Sequence, residues 1–285
     1  MAHLDGPRRL DRLIVTRPAP DAGVWAEALR EKGWPAQALP LIQIGEPETP
    51  AERDGLRHWR AHWSQADAIL FVSGAAVSHF FAAGVAPPVG AVHTRFWAPG
   101  PGTARALAHA LAHLGIAGEQ IDAPAPDAAQ FDSEHLWPQV AAQVGPGRRV
   151  LIVRGSAPAS SRKETATPDV AGSGRDWLIR RCRAAGAHVE GCAAYARHAP
   201  VLSFTEQELI RSATTEGSAW LFSSSEALAP LRALAPAPDW ALASALVTHP
   251  RIGEAAVHAG FGHVVATRPT LADVLRTLES DWYRP

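Results

Sequence analysis

RLIVTRPAPDAGVWAEALREKGWPAQALPLIQI, Arg12–Ile44, is the stretch that decides the fold. It opens with an apolar run short enough for a buried strand, RLIVTR (Arg12–Arg17). A helix over Asp21–Lys32 follows and is stopped by Gly33; a second extended run, QALPLIQI (Gln37–Ile44), comes next. Strand, helix and strand in this order are the unit from which parallel sheets are built.

Outward from there the rhythm continues. AILFVS (Ala68–Ser73) reads as a buried strand with a helix from about Ala75, and RFWAPG (Arg95–Gly100) as another strand. A helix after Thr103 would set Ala104, Leu107, Ala108, Leu111 and Leu114 on one face until Gly115 ends it. The second half then restates the first. Val153 in RVLIVRG stands opposite Val15 (153 − 15 = 138), Gly186 opposite Gly33 (186 − 33 = 153), Phe222 opposite Phe71 (222 − 71 = 151) and Pro250 opposite Pro101 (250 − 101 = 149). The first offset falls short of the second by 153 − 138 = 15 residues, so an insertion lies between Val153 and Gly186. SAPASSRKETATPDVAGSG, Ser156–Gly174, has the Ser, Thr, Pro and Gly content of a surface loop and is assigned to it. The expected fold class is α/β, with two similar parallel-sheet units.

Composition narrows the function. The 285 residues are 47% apolar and 19% charged, enough for packed cores and two ordinary domains. With 27 Lys and Arg against 28 Asp and Glu, no global field draws the chain to nucleic acid or an anionic membrane. Cys182 and Cys192 are too few for a disulfide framework and too oddly spaced for a metal site. The first residues, MAHLDGPRRLDR, hold no apolar signal segment, and no stretch is long enough to span a bilayer, so a cytoplasmic location is expected.

Ligands of parallel α/β sheets bind beyond the carboxyl ends of the strands. That rule selects Thr16 and Arg17, Ser73 and Gly74, the turn Gly100–Thr103, Arg154 and Gly155, Ser223 to Ser225, and Thr248 to Ile252. In the turn, Gly100 and Gly102 permit close approach, and Thr103 reads as the N-cap of an anion-cradling helix. It is no dinucleotide fingerprint, because Arg105 stands where the third glycine would be, and no P-loop, because Gly-Lys-Ser/Thr is absent. Ser223, Ser224 and Ser225 lack the Gly-x-Ser-x-Gly elbow of a hydrolase. His109 and His113 share a helix face without the rest of a zinc motif, whereas His249 lies at the mouth of a strand. Tyr195, one of two tyrosines, sits in the extended run CAAYARHAP, where packing competes with a functional role.

Taken in order, VTRP (Val15–Pro18), LPLIQI, FVSGAAV (Phe71–Val77), APGPGTA (Ala98–Ala104), SEHL (Ser133–Leu136), VRG with GRDWL (Gly174–Leu178), YAR (Tyr195–Arg197), FSSSEAL and THPRIGEAA (Thr248–Ala256) resemble the uroporphyrinogen-III synthase family over nearly the whole chain. Departures are Pro99 in place of a usual Val, and Gly74 and Ala75 in place of a common Pro-Asn. The resemblance implies discontinuous domains, about 1–40 plus 199–285 and about 44–194, joined by linker strands near Gln37–Ile44 and Gly191–Arg197, with the site in the cleft between domains. It also implies a substrate, hydroxymethylbilane, whose several acetate and propionate carboxylates would be met by Thr16, Arg17, Ser73, Gly100, Gly102, Thr103, Arg154, Ser223, Ser224, His249, Arg251 and Ile252. Tyr195 is the implied catalytic residue. The reaction is cyclisation with inversion of ring D and loss of water, in a monomer with no metal or cofactor and no nucleic-acid or membrane partner. The alternative is a two-lobed binding or sensor protein without catalysis.

Overall fold

The computed structural model describes residues 8–82, 85, 90–125, 127–156, 174–233 and 238–284. The proposed insertion therefore lies outside the described residues except at its ends, Ser156 and Gly174. In chain order the elements are β1 Arg8–Arg9, β2 Arg12–Val15, α1 Asp21–Glu31, β3 Ala36–Ala38, β4 Gln43–Gly45, α2 Pro50–His62, β5 Ala68–Phe71, α3 Gly74–Phe80, β6 Arg95–Trp97, α4 Pro101–His113, β7 Ile121–Asp122 and α5 Ser133–Val140. They continue with β8 Arg149–Ser156, α6 Gly174–Ala184, β9 His188–His198, α7 Phe204–Ser212, β10 Ser218–Phe222, α8 Leu228–Arg232, β11 Ser244–Val247, α9 Pro250–Ala259, β12 His263–Ala266, α10 Leu271–Asp281 and β13 Trp282–Tyr283. Two compact units result, Met1–Ile44 with His198–Pro285, and Gly45–Arg197.

The discontinuous unit is built on a five-stranded sheet in the order β12-β11-β10-β2-β3, every pairing parallel. Its strands are apolar at successive positions because both faces are covered. Alternate side chains go to opposite cores: Leu13, Val15, Ala219 and Leu221 pack beneath Ala22, Ala26 and Leu29 of α1 and Val274 of α10. Ile14, Trp220, Phe222 and Val247 pack against Ile210, Leu228 and Ile252 on the other side. Gly33 ends α1 at φ +81°, a conformation that costs glycine little.

The continuous unit has a six-stranded sheet, β4-β9-β8-β5-β6-β7. Apart from the short strand β4 at one edge, this is the order of the first sheet, with β8, β9, β5, β6 and β7 in the places of β2, β3, β10, β11 and β12. Each sheet reverses direction once, between β2 and β10 in one and between β8 and β5 in the other. Such a reversal leaves a crevice at the carboxyl ends of the two central strands.

Two local expectations need correction. Gln37–Ile44 is not one extended segment: β3 ends at Ala38 and β4 begins at Gln43. Pro40 has no N–H for the ladder, so only Leu39 and Leu41 bond back, to the carbonyls of Val15 at 2.9 Å and Thr16 at 3.5 Å. Thr103 is not a helix cap. Pro101, whose fixed φ suits the first helical position, starts α4 earlier, so Gly100 is the N-cap and Thr103 is buried within the first turn.

Candidate functional site

At the β5–β8 reversal, β5 runs out through Val72 to Ser73. The Ser73 hydroxyl oxygen accepts the Ala76 N–H at 3.1 Å and so caps α3. Strand β8 ends at Arg154, Gly155 and Ser156, beside β9. Pairing of β8 with β9 slips between Arg154 and Gly155: Arg154 faces Ala193, but Gly155 faces Tyr195. The extra residue in β9 is a bulge, and Ala194, Tyr195 and Ala196 around it are all buried.

Tyr195 is thereby laid across Gly155. A Cβ at residue 155 would stand 2.6 Å from Tyr195 Cε2 and 2.7 Å from Cζ, so only glycine leaves room for the ring. The Ser156 hydroxyl donates to the Tyr195 carbonyl at 3.2 Å and fixes the backbone beneath it. At its far end the phenol meets Ser73, Oη to Oγ 3.2 Å, although 122 residues separate the two in sequence. His79 lies tilted against the ring, centroids 5.7 Å apart. Burial, with a smaller contribution from Arg60, holds the His79 pKa below the usual histidine value despite Glu46, which leaves its imidazole neutral beside the phenol at neutral pH. Tyr195 is 4% exposed. The phenol is thus hydrogen-bonded to a serine hydroxyl over a glycine whose missing side chain leaves it room.

That seat is testable. Gly155→Ala should lower stability by about 1–3 kcal/mol and displace the phenol. Urea unfolding and turnover measured on one preparation check it; an active, fully stable Gly155→Ala protein would mean that the ring moves freely.

The other predicted residues distribute as follows. Arg154 is exposed at the end of β8. Gly100 caps α4 with no side chain over the first turn, and a Cβ there would press on Phe131 at 3.2 Å; Gly102 has open space around it. Thr16 follows β2, but its hydroxyl is spent donating to the Leu221 carbonyl at 2.8 Å. Arg17, next in line, lies with its guanidinium carbon 3.8 Å above the Trp25 ring. Ser223 is half-buried at the end of β10, and Ser224 accepts the Glu226 N–H at 3.3 Å to cap a short 3-10 turn. His249 caps α9, its Nδ1 accepting the Arg251 N–H at 3.2 Å. Arg251 is exposed, whereas the Ile252 side chain is in the core and its N–H bonds to the His249 carbonyl, so it presents little to a ligand.

Gly155, Ser156 and His79 were not singled out by sequence reasoning as partners of Tyr195. The bulge that joins them depends on the pairing of β8 with β9 and has no local sequence signature. Burial pushes the thiols of Cys182 to about 11 and Cys192 to about 12, so neither is a thiolate nucleophile at neutral pH. Among the described residues, no group of three or more His, Cys, Asp and Glu could hold a metal, and no helix is long and apolar enough to cross a membrane.

A family model described as uroporphyrinogen-III synthase HemD matches residues 23–276. Among solved structures, a mutant uroporphyrinogen III synthase from Thermus thermophilus is 17% identical with a TM-score of 0.51, over 94% of this chain and 97% of that one. The uroporphyrinogen-III synthetase of Helicobacter pylori is 12% identical with a TM-score of 0.50, over 94% and 98%. At these identities the two structures speak for the shared α/β fold. The sequence has no significant match among curated proteins.

Proposed function

The chain belongs to the HemD uroporphyrinogen-III synthase family, and from that premise we propose that the hydroxyl of its substrate departs at the reversal where Tyr195 meets Ser73. The activity itself is the cyclisation of hydroxymethylbilane to uroporphyrinogen III in haem biosynthesis. As the terminal C–O bond breaks, the pyrrole nitrogen supplies electron density and the oxygen leaves with the bonding pair, taking up a proton to become water. An electrophilic azafulvene remains. Ring D attacks it through its already substituted α-carbon, and the resulting spiro intermediate fragments and re-closes with that ring inverted.

The observation that carries the proposal is the Ser73–Tyr195 hydrogen bond. Either hydroxyl can donate in that bond; in this reading Ser73, which already accepts from Ala76, is the donor to the phenol oxygen. The phenol hydrogen is then free for the departing hydroxyl, and each bond in such a chain polarises the next. Helix starts such as Gly100–Gly102 supply the carboxylate contacts, each contributing about 0.3–1 kcal/mol. The expected domain division, 1–40 with 199–285 and 44–194, belongs to this reading, and the compact units described above support it. A monomeric, cytoplasmic state and the lack of a nucleic-acid partner belong to the same reading, and the net charge of −1 speaks for the last of them.

The test is turnover of hydroxymethylbilane with separation of the product isomers. The inverted isomer should dominate and should be unaffected by exhaustive chelation, because the pyrroles supply the electrons. Binding without turnover, with the substrate closing by itself to the uninverted isomer, would favour a binding protein.

A further inference from the structure

We propose that His109 and His113 form a two-imidazole site for one divalent ion of the zinc class on the last turn of α4. The site stands apart from ring closure: the turn Gly100–Gly102 lies at the opposite end of that helix.

The two residues are four apart in the sequence, so their side chains leave one face of α4 a turn apart. Both are exposed and open to an ion from solvent. Their ring planes stand at 90° with centroids 4.6 Å apart, and the two Nε2 atoms face each other at 3.2 Å. Without an ion, one ring carries its hydrogen on Nε2 and donates it to the other. With that hydrogen on Nδ1 instead, both Nε2 lone pairs are offered to the same space. A zinc ion sits about 2.0–2.1 Å from an imidazole nitrogen. Two nitrogens 3.2 Å apart then subtend an angle of about 100° at the ion, close to the tetrahedral geometry that zinc adopts. The pair can therefore close on zinc without displacing the helix.

The position adds to the attraction. His113 is the last residue of α4, and the carbonyls left unpaired at a helix C-terminus favour a positive charge there. Imidazole nitrogen selects zinc, copper or nickel over magnesium and calcium, which take oxygen ligands. Two protein ligands leave the remaining positions to water, so the ion exchanges with solvent. While bound, it ties residue 109 to residue 113 and holds the last turn closed. Spacing alone does not make such a site. His58 and His62 on α2 are also four apart, but their rings are stacked, with 29° between planes and 4.6 Å between centroids. Lone pairs lie in the ring plane, so in that pair they run side by side and do not meet.

The test is a calorimetric titration of the full chain with zinc, together with amide hydrogen exchange across α4. Relative to wild type, His113→Gln should lose one equivalent of zinc or bind it at least about tenfold more weakly, because the second imidazole no longer acts within the same molecule. His109→Gln should do the same, and His62→Gln should not. At a free zinc concentration ten times the dissociation constant, exchange in the last turn of α4 should slow by about tenfold in wild type and be unchanged in either α4 variant. Glutamine is a good helix former on this exposed face, so both variants should unfold like wild type without zinc; if one does not, the other carries the comparison. With chelator present, His113→Gln should turn over hydroxymethylbilane at the wild-type rate, and a slower rate would overturn the separation of this site from the reaction. Identical zinc titrations in wild type and both α4 variants, a loss shared by His62→Gln, or zinc-slowed exchange that persists in the α4 variants would overturn the site itself.

Discussion

Tyr195→Phe should lower the turnover of hydroxymethylbilane by roughly 10²-fold or somewhat less, the range expected when a positioned proton donor is lost. The substitution keeps the ring, so the packing over Gly155 and beside His79 survives. It removes one hydroxyl and one 3.2 Å hydrogen bond to Ser73, which should cost only about 0.5–1.5 kcal/mol of stability. Ser73→Ala should slow turnover less, because the phenol stays in place with its own hydrogen available, and the double variant should be little slower than Tyr195→Phe alone. That non-additivity is the signature of two residues acting through one hydroxyl. The product of Tyr195→Phe should still be mainly the inverted isomer, since coiling of the substrate does not depend on the phenol. Wild-type turnover would defeat the assignment, and a shift to the uninverted isomer would mean that Tyr195 steers closure rather than ionisation.

Trp220→Ala should destabilise the discontinuous unit by about 3–5 kcal/mol, a large share of the 5–15 kcal/mol that holds an ordinary domain together. Trp220 is fully buried in the middle of β10 and is stacked with Phe222 at 6.2 Å. Its ring also meets Trp240 edge-on at 5.3 Å, and its indole N–H donates to the Ala213 carbonyl at 2.8 Å. Truncation would leave a cavity among three aromatic rings and strand a buried carbonyl. Trp220→Phe fills most of the cavity and should lose less than half as much. Urea unfolding followed by circular dichroism measures both; a loss under about 1 kcal/mol in Trp220→Ala would show that the cluster collapses to fill the gap.

Much of the fold was legible because it is written in periodicity. Leu13, Ile14 and Val15 form a continuous apolar run only where both faces of a strand are covered, and Gly33 and Gly115 stop helices through a backbone conformation that glycine adopts cheaply. What misled was local competition. Thr103 has the chemistry of a cap, but Pro101 had already started the helix. Gln37–Ile44 has the apolarity of a strand, but Pro40 interrupts its hydrogen bonding. The site was legible as positions and not as partnerships. Ser73 could be placed at a strand end and Tyr195 within an extended run, yet their meeting depends on the β5–β8–β9 order and on a bulge that no residue announces. Ile252 shows the converse, a strand-end position whose side chain is spent on packing.

The seat of Tyr195 on Gly155 also constrains how relatives of this chain can diverge. Neither residue can change first without penalty: a side chain at 155 collides with the ring, and a smaller residue at 195 leaves a hole over the glycine. The two positions should therefore drift as a pair. Descendants that keep the phenol should keep the glycine, and those that acquire a Cβ at 155 should have already given up the aromatic ring at 195.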